Sequence, residues 1–131
     1  MEVNEPRWLK CVDPVARMDW LHLGWLPVLV KLEPWLLGRY RSGNWRGPTL
    51  IARRYVMNCC FHEERTPSLS LYPSGIYLCH GCQAFGDILL FVVELLELDN
   101  ENELKEFFEE VERNMRLLGA AEHPGQTSLL A

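Results

Sequence analysis

Two short clusters of cysteine and histidine constrain the fold of this chain more than any other feature. Two residues separate Cys59 from His62, two separate Cys79 from Cys82, and sixteen lie between the pairs. Such spacings let two turns of backbone each present two ligands to one tetrahedral ion. Three thiolates and one imidazole suit zinc, and they fill its four-coordinate shell without leaving a position for an activated water. The sequence therefore predicts a structural zinc site, not a catalytic one.

Two further side chains near the clusters are alternative ligands. Cys60 leaves only one residue before His62, which is a cramped spacing for one ion, and His80 lies inside the second turn, where its side chain should point away from the metal. We expect neither to bind it. Cysteines grouped in this way favour a reducing compartment over a disulfide framework. Cys11 lies apart from both clusters, and we expect it to be a small buried side chain.

Length and composition predict one domain in the cytoplasm. A chain of 131 residues is long enough to form one core. It has no apolar run near the roughly 20 residues of a membrane-spanning helix, and its start, MEVNEPRW, lacks the basic and apolar character of a secretory signal. We expect a domain at 1–118 and a flexible tail at 119–131.

The net charge of −5 is unevenly distributed along the chain. Residues 1–58 carry 9 Lys and Arg against 5 Asp and Glu, whereas residues 59–131 carry 4 against 13. Phosphate binding depends on a local basic patch, so an acidic whole chain does not exclude nucleic acid. The two halves are expected to have different partners.

The part at 1–48 is predicted to be helical. Asp13 suits a helix cap, and the following apolar sequence suggests short helices. Four residues are expected to interrupt them, namely Gly24, Pro27, Pro34 and Gly38. Four tryptophans fall in leucine-rich segments, where core packing or a protein interface is commoner than base stacking; these are Trp8, Trp20, Trp25 and Trp35.

The parts at 49–87 and 88–118 are predicted to be a small sheet and two helices. TLIARRYVMNC has the composition of one strand, and SLSLY and IYLC alternate around PSG as a β-hairpin. Asp87 should cap a buried helix, ILLFVVELLEL, and a second helix should start at Asn102. The apolar face of that second helix comprises Leu104, Phe107, Phe108, Val111, Met115 and Leu118.

The stretch CCFHEERTPSLSLYPSGIYLCHGCQAFGDILLFV closely resembles the CHC2-type zinc-binding domain of DnaG-like bacterial DNA primases. FHEERTPS and CHGCQAFGD match that pattern in residue type as well as spacing. The resemblance, over about residues 50–97, implies an α+β fold: a zinc ribbon on a small antiparallel β-sheet with flanking helices. The resemblance also implies that the zinc ligands are Cys59, His62, Cys79 and Cys82. Cys60 replaces the usual proline, and Gln83 and Phe85 replace glycines, so the turn after Cys82 is expected to differ in shape.

The resemblance also implies a function in DNA replication. In the family this module touches single-stranded template and helps choose where primer synthesis begins. The chain shows no Asp-x-Asp pair or similar acidic constellation for polymerisation. We therefore expect a non-enzymatic module that binds single-stranded DNA and assists a separate primase, polymerase or helicase. The alternative is a zinc-stabilised adaptor that binds a protein and has no affinity for nucleic acid.

Arginines mixed with aromatic residues surround the first cluster. Such mixing suits single strands, because guanidinium groups meet phosphates and exposed rings stack on bases. The predicted contacts are Arg65, Arg54, Arg53, Arg46, Trp45, Tyr55 and Tyr72, with Arg39, Arg41 and Tyr40 nearby. Arg65 has the strongest case, since it holds the basic position of the family motif. The plainer alternative is a solvated face whose arginines pair with the acidic second helix.

Overall fold

The computed structural model describes residues 5–38, 47–62 and 67–121. Within them, three helices precede a five-stranded sheet and two helices follow it. The predicted order of helices, sheet and two helices is confirmed, but the number of strands is larger than predicted. The elements are α1 (Arg7–Lys10), α2 (Pro14–His22), α3 (Trp25–Gly38), β1 (Thr49–Ile51), β2 (Arg54–Met57), β3 (Leu69–Leu71), β4 (Ile76–Cys79), β5 (Phe85–Asp87), α4 (Ile88–Leu96) and α5 (Glu101–Ala121). None of the helices described is both long and apolar enough to cross a membrane.

Among the amino-terminal helices, α2 begins at its predicted cap, α1 was not predicted, and α3 is longer than expected. The Asp13 carboxylate caps α2 by accepting a hydrogen bond from the Ala16 N–H at 3.1 Å, and Gly24, with φ of 80°, separates α2 from α3. The predicted interruptions at Pro27 and Pro34 are wrong, because α3 continues through both. Pro27 lies in the first turn, where its missing N–H costs no helical bond, and burial of the α3 side chains offsets the bond lost at Pro34.

Residues 49–57 form a hairpin of two strands, where one strand was predicted. Ile51 pairs with Arg54, and the turn between them consists of Ala52 and Arg53, with φ of 49° and 73°. Turns with two positive φ angles favour Asn-Gly or similar pairs. Ala-Arg therefore gave no sequence signal for a turn.

All five strands pair antiparallel with their chain neighbours. The predicted hairpin of β3 and β4 is confirmed: Leu69 pairs with Cys79, and Gly75, with φ of 90°, completes its turn. The short strand β5 was not predicted, since its three residues include a glycine and show no alternation. It pairs with β4 through Leu78 and Phe85.

The two faces of the sheet have different surroundings. Leu71 and Tyr77 are a cross-strand pair on the face that packs against the helices, and both are fully buried. Because side chains alternate along each strand, the residues next to these core-facing ones point to the opposite side of the sheet, here called the open face. Its residues include Ile51, Arg54, Tyr72, Ile76, Leu78 and Phe85. Ile51, Ile76 and Phe85 are 47%, 47% and 45% exposed.

Helix α4 is the centre of the core. It is buried nearly all round, as predicted, and one cluster of buried residues joins it to the sheet and to the other helices. Trp25 meets Phe91 of α4 edge-on at 5.1 Å between ring centroids, and Trp20 stacks on Phe108 of α5 at 5.0 Å. These two tryptophans are core residues, whereas Trp35 is 46% exposed.

Helix α5 begins one residue before its predicted start and runs three residues beyond its predicted end. Four predicted apolar residues are buried, namely Leu104, Phe107, Phe108 and Val111. Met115 is 40% exposed, because the helix has left the core by that point. The side chain of Leu118 and the residues at 122–131 lie outside the described part. The expected burial of Cys11 is wrong: it follows the four-residue α1 and is exposed.

Polar contacts join the amino-terminal helices to the rest of the fold. Arg17 of α2 donates to the Asp87 carboxylate at 3.0 Å and also to the Leu9 carbonyl. Asp87 in turn caps α4 by accepting from the Leu90 N–H at 3.0 Å. The helices at 7–38 are therefore an integral part of the structure around the sheet.

Candidate metal centre

The structure brings the four predicted ligands together. Cys59 follows β2, Cys79 ends β4, and His62 and Cys82 each lie three residues further on. The four candidate ligand atoms all lie within 4.8 Å of one another. The Cys59 and Cys79 side chains are fully buried, and the other two are partly buried.

The distances between these atoms fit zinc. A tetrahedral ion with bonds of about 2.3 Å to sulfur separates two sulfurs by about 3.8 Å. The Cys59 and Cys82 Sγ atoms are 3.8 Å apart, and Cys79 Sγ lies 3.9 Å from His62 Nδ1. The donor set is the one common in structural zinc sites.

Hydrogen-bond donors surround the two buried sulfurs. The Phe61 N–H donates to Cys59 Sγ at 3.3 Å, and the Gly81 and Cys82 N–H groups donate to Cys79 Sγ at 3.3 and 3.4 Å. Each backbone turn therefore directs amides at its first sulfur. This arrangement stabilises thiolates, which are the form of cysteine that binds a metal.

The two buried thiols respond differently to this environment. Burial raises the pKa of the Cys59 thiol, more than its amide bond lowers it. Burial also acts to raise the pKa of Cys79, but hydrogen bonds from Ser68 and from two backbone amides outweigh it and hold that pKa below its ordinary value. The Ser68 hydroxyl lies 3.3 Å from Cys79 Sγ. A bound cation supplies the charge that favours ionisation of Cys59.

Gly81 allows the second turn to approach the histidine. A Cβ at this position would lie 2.9 Å from Nε2 and 3.0 Å from Cε1 of His62, and 3.2 Å from the Ser68 hydroxyl. Such distances are too short for an ordinary side chain without movement of the ring. Glycine is thus required by a close approach inside the site.

A family model for the CHC2 zinc finger matches residues 50–123, more than half of the chain. The chain belongs to the CHC2 zinc finger family. Together with the geometry of the four side chains, this shows a zinc-binding module.

Curated relatives of this CHC2 module are DNA primases. The primase of Myxococcus xanthus is 44% identical over 45 residues, which are 34% of this chain and 7% of that protein. The primase of Rickettsia prowazekii is 37% identical over 59 residues, 44% of this chain and 10% of that protein. The chain thus spans a tenth or less of the length of these relatives.

One similar solved structure is a crystal structure of the Aquifex aeolicus primase that contains its zinc-binding and RNA polymerase domains. The likeness covers 67% of this chain and 21% of that one, with a TM-score of 0.42 and 24% identity.

The neighbouring candidate ligands lie outside the group of four. His80 is exposed, and Cys60 is 3% exposed within the core cluster.

Gln83, which replaces a glycine of the CHC2 pattern, has φ of 66°. Its N–H donates to the Cys79 carbonyl at 2.9 Å. The glutamine therefore adopts the left-handed conformation that favours glycine.

The structure separates the residues predicted to contact nucleic acid. Arg54 begins β2 and Tyr72 directly follows β3. Because Tyr55 pairs with Leu71 on the core side, alternation puts Arg54 and Tyr72 on the open face. Arg53 is exposed in the β1–β2 turn. Tyr55 lies on the opposite face and packs against the core, so it is not beside Arg54 and Tyr72. Six other residues lie outside the described part, namely Arg39, Tyr40, Arg41, Trp45, Arg46 and Arg65.

Arg54 has an unusual environment. Its Nε atom is buried and, within the described structure, has no hydrogen-bond partner. An unsatisfied donor of this kind costs free energy, on the order of 1–3 kcal/mol.

No pattern in the sequence indicated that Phe85 lies on the open face. Its position there depends on β5, a strand that was not predicted.

Proposed function

We propose that Cys59, His62, Cys79 and Cys82 hold one zinc ion in a closed four-ligand shell, and that the open face of the sheet binds single-stranded DNA template. The ion fixes the shape of the ribbon and takes no part in chemistry. The module assists a separate primase, polymerase or helicase that supplies catalysis.

The observation that carries the proposal is the position of Arg54 and Tyr72, each one residue beyond the register pair Tyr55 and Leu71, on the open face. A guanidinium and a ring on the same sheet surface suit a single strand whose phosphates meet the cation and whose bases meet the ring. The unsatisfied Nε of Arg54 also supports a functional role, since a buried donor without a partner disfavours the folded protein. Relatives that match this region are DNA primases.

The distribution of acidic residues is compatible with this surface. Most acidic side chains after the metal centre belong to α5, which packs against α3 and α4. Among them, Glu110 pairs with Lys31 of α3 at 2.6 Å. Helix α5 therefore lies on the helical side of the protein. Its carboxylates need not approach, and so need not repel, the phosphates of a strand bound at the open face.

Fluorescence anisotropy with a labelled single strand tests the proposal. Affinity should fall steeply as salt rises, and Arg54→Met should reduce the slope of log K against log salt by about 0.7 if one phosphate contact is lost. Arg113→Met, an exposed arginine on α5, is the matched control and should change little. Arg65→Ala tests the motif arginine. Absent or salt-independent binding by zinc-loaded protein would refute the proposal.

A second candidate function is the zinc-stabilised protein adaptor. Val15 and Met18 lie three residues apart on α2 and are 67% and 50% exposed, so one helix face presents apolar side chains to solvent. If this face docks a partner, Met18→Glu should abolish recovery of one protein from nuclease-treated lysate. That result, together with absent binding to single strands, would favour the adaptor.

A further inference from the structure

Phe85 presents an aromatic ring to solvent on the open face. It is 45% exposed and lies directly opposite Leu78 in the pairing of β5 with β4. A single exposed apolar side chain is ordinary on a protein surface. The reasons for giving Phe85 a role are therefore its rigid support and its neighbours.

The backbone around Phe85 is held on both sides. The Cys79 N–H donates to the Ala84 carbonyl at 2.8 Å, immediately before it. Immediately after it, a Cβ on Gly86 would lie 2.6 Å from Leu90 Cδ2 and 3.2 Å from Tyr77, so this part of β5 is pressed against the core. Phe85 also follows the proposed ligand Cys82 by only three residues. The ring is thus displayed from a strand that the metal centre helps to fix, so binding costs little ordering of the backbone.

The neighbours of Phe85 on the open face include a second ring and a cation. Tyr72 lies two strands away and two residues further along the strand direction, which corresponds to about 12 Å between Cα positions. Arg54 lies on the next strand beyond Tyr72. The separation leaves room for different bases on the two rings. An apolar protein partner across this face would have to desolvate the Arg54 guanidinium, which is costly.

We propose that Phe85 is a base-stacking residue for single-stranded DNA, in addition to Tyr72. This inference rests on the proposed function and deepens it. Stacking on a ring tolerates any base, because every base has an aromatic face. Phe85 contributes affinity and adds no phosphate contact, so its effect differs in kind from that of Arg54.

Anisotropy titrations with a labelled thymidine oligonucleotide of about 15 residues test this assignment. Phe85→Leu retains an apolar side chain and removes the ring, and affinity should fall about 5- to 150-fold with an unchanged salt slope. Phe85→Tyr retains the ring and should bind within about twofold of the unmodified protein. Leu50→Ala, which removes a 63% exposed apolar side chain from the opposite face, should leave affinity unchanged. Zinc content and unfolding midpoint are measured on every variant.

The outcomes separate this inference from the function on which it rests. If the unmodified protein binds and Phe85→Leu binds equally well, the stacking role is wrong and the proposed function stands. Equal losses in Phe85→Leu and Phe85→Tyr, with zinc retained, would also overturn stacking. If the unmodified, zinc-loaded protein binds no single strand, both proposals fail.

Discussion

Replacing Gly81 by alanine should weaken zinc binding more than a change of one methyl group suggests. The new Cβ would lie 2.9 Å from His62 Nε2 and 3.2 Å from the Ser68 hydroxyl. Either the His62 ring or the turn at Gly81 must therefore move by several tenths of an ångström, within a site whose ligand atoms all lie within 4.8 Å of one another.

The size of the effect follows from the cost of overpacking. An extra carbon in a close-packed site costs typically about 1–3 kcal/mol. If that strain falls on the metal-bound form, zinc affinity drops by about 5- to 150-fold, since 1.4 kcal/mol corresponds to a factor of ten. This range agrees with the effect of disturbing residues that support metal ligands, about 10- to 100-fold.

Competition with a chromophoric zinc chelator measures this change directly. Gly38→Ala is the matched control, because a Cβ at Gly38 meets nothing within 4 Å, and its zinc affinity should equal that of the unmodified protein. Equal affinities for Gly81→Ala and Gly38→Ala would show that the His62 ring is not held as the structure describes, and the reasoning would be wrong.

Three further predictions concern stability, each read from urea unfolding of zinc-loaded protein. Gln83→Gly should stabilise the fold by about 0.5–1 kcal/mol, because it relieves a left-handed φ of 66°; an equal or lower stability would contradict this. Burial raises the pKa of Glu94, so the folded state favours its protonated form and the ionised form is destabilising above that pKa. Glu94→Gln should therefore be more stable than the unmodified protein at pH 7, and the difference should shrink as the pH falls through the raised pKa; a pH-independent difference would disprove it. Arg17→Ala should lose about 1 kcal/mol, given its partly buried bonds to Asp87 and to the Leu9 carbonyl. Arg17→Lys should not restore that stability, since one ammonium cannot donate in both directions as the guanidinium does.

The parts of the fold that could be predicted are those whose signal is local. The Asp13 and Asp87 caps, the β3–β4 hairpin and the buried helix α4 all follow from short patterns of residue type. The four-residue metal group followed from spacing, because two short pairs can converge on one ion wherever the turns allow it.

The features that could not be predicted depend on tertiary context. Ala52 and Arg53 adopt positive φ angles although neither is a glycine, asparagine or aspartate, the residues that usually indicate such a turn. Helix α3 continues through Pro34 because packing outweighs a lost hydrogen bond. The face on which a side chain lies depends on register, so Tyr55 and Arg54 are adjacent in sequence and point to opposite sides of the sheet. Phe85 was missed for the same reason.

X-ray absorption spectroscopy at the zinc edge, with and without a bound single-stranded oligonucleotide, is the most direct test of a closed structural metal site. We predict three sulfur ligands at about 2.3 Å and one nitrogen at about 2.0–2.1 Å, unchanged when DNA binds, because the closed shell holds the sheet and the open face makes the contacts. An oxygen ligand, fewer than three sulfurs, or a shell that changes on DNA binding would contradict a closed structural site.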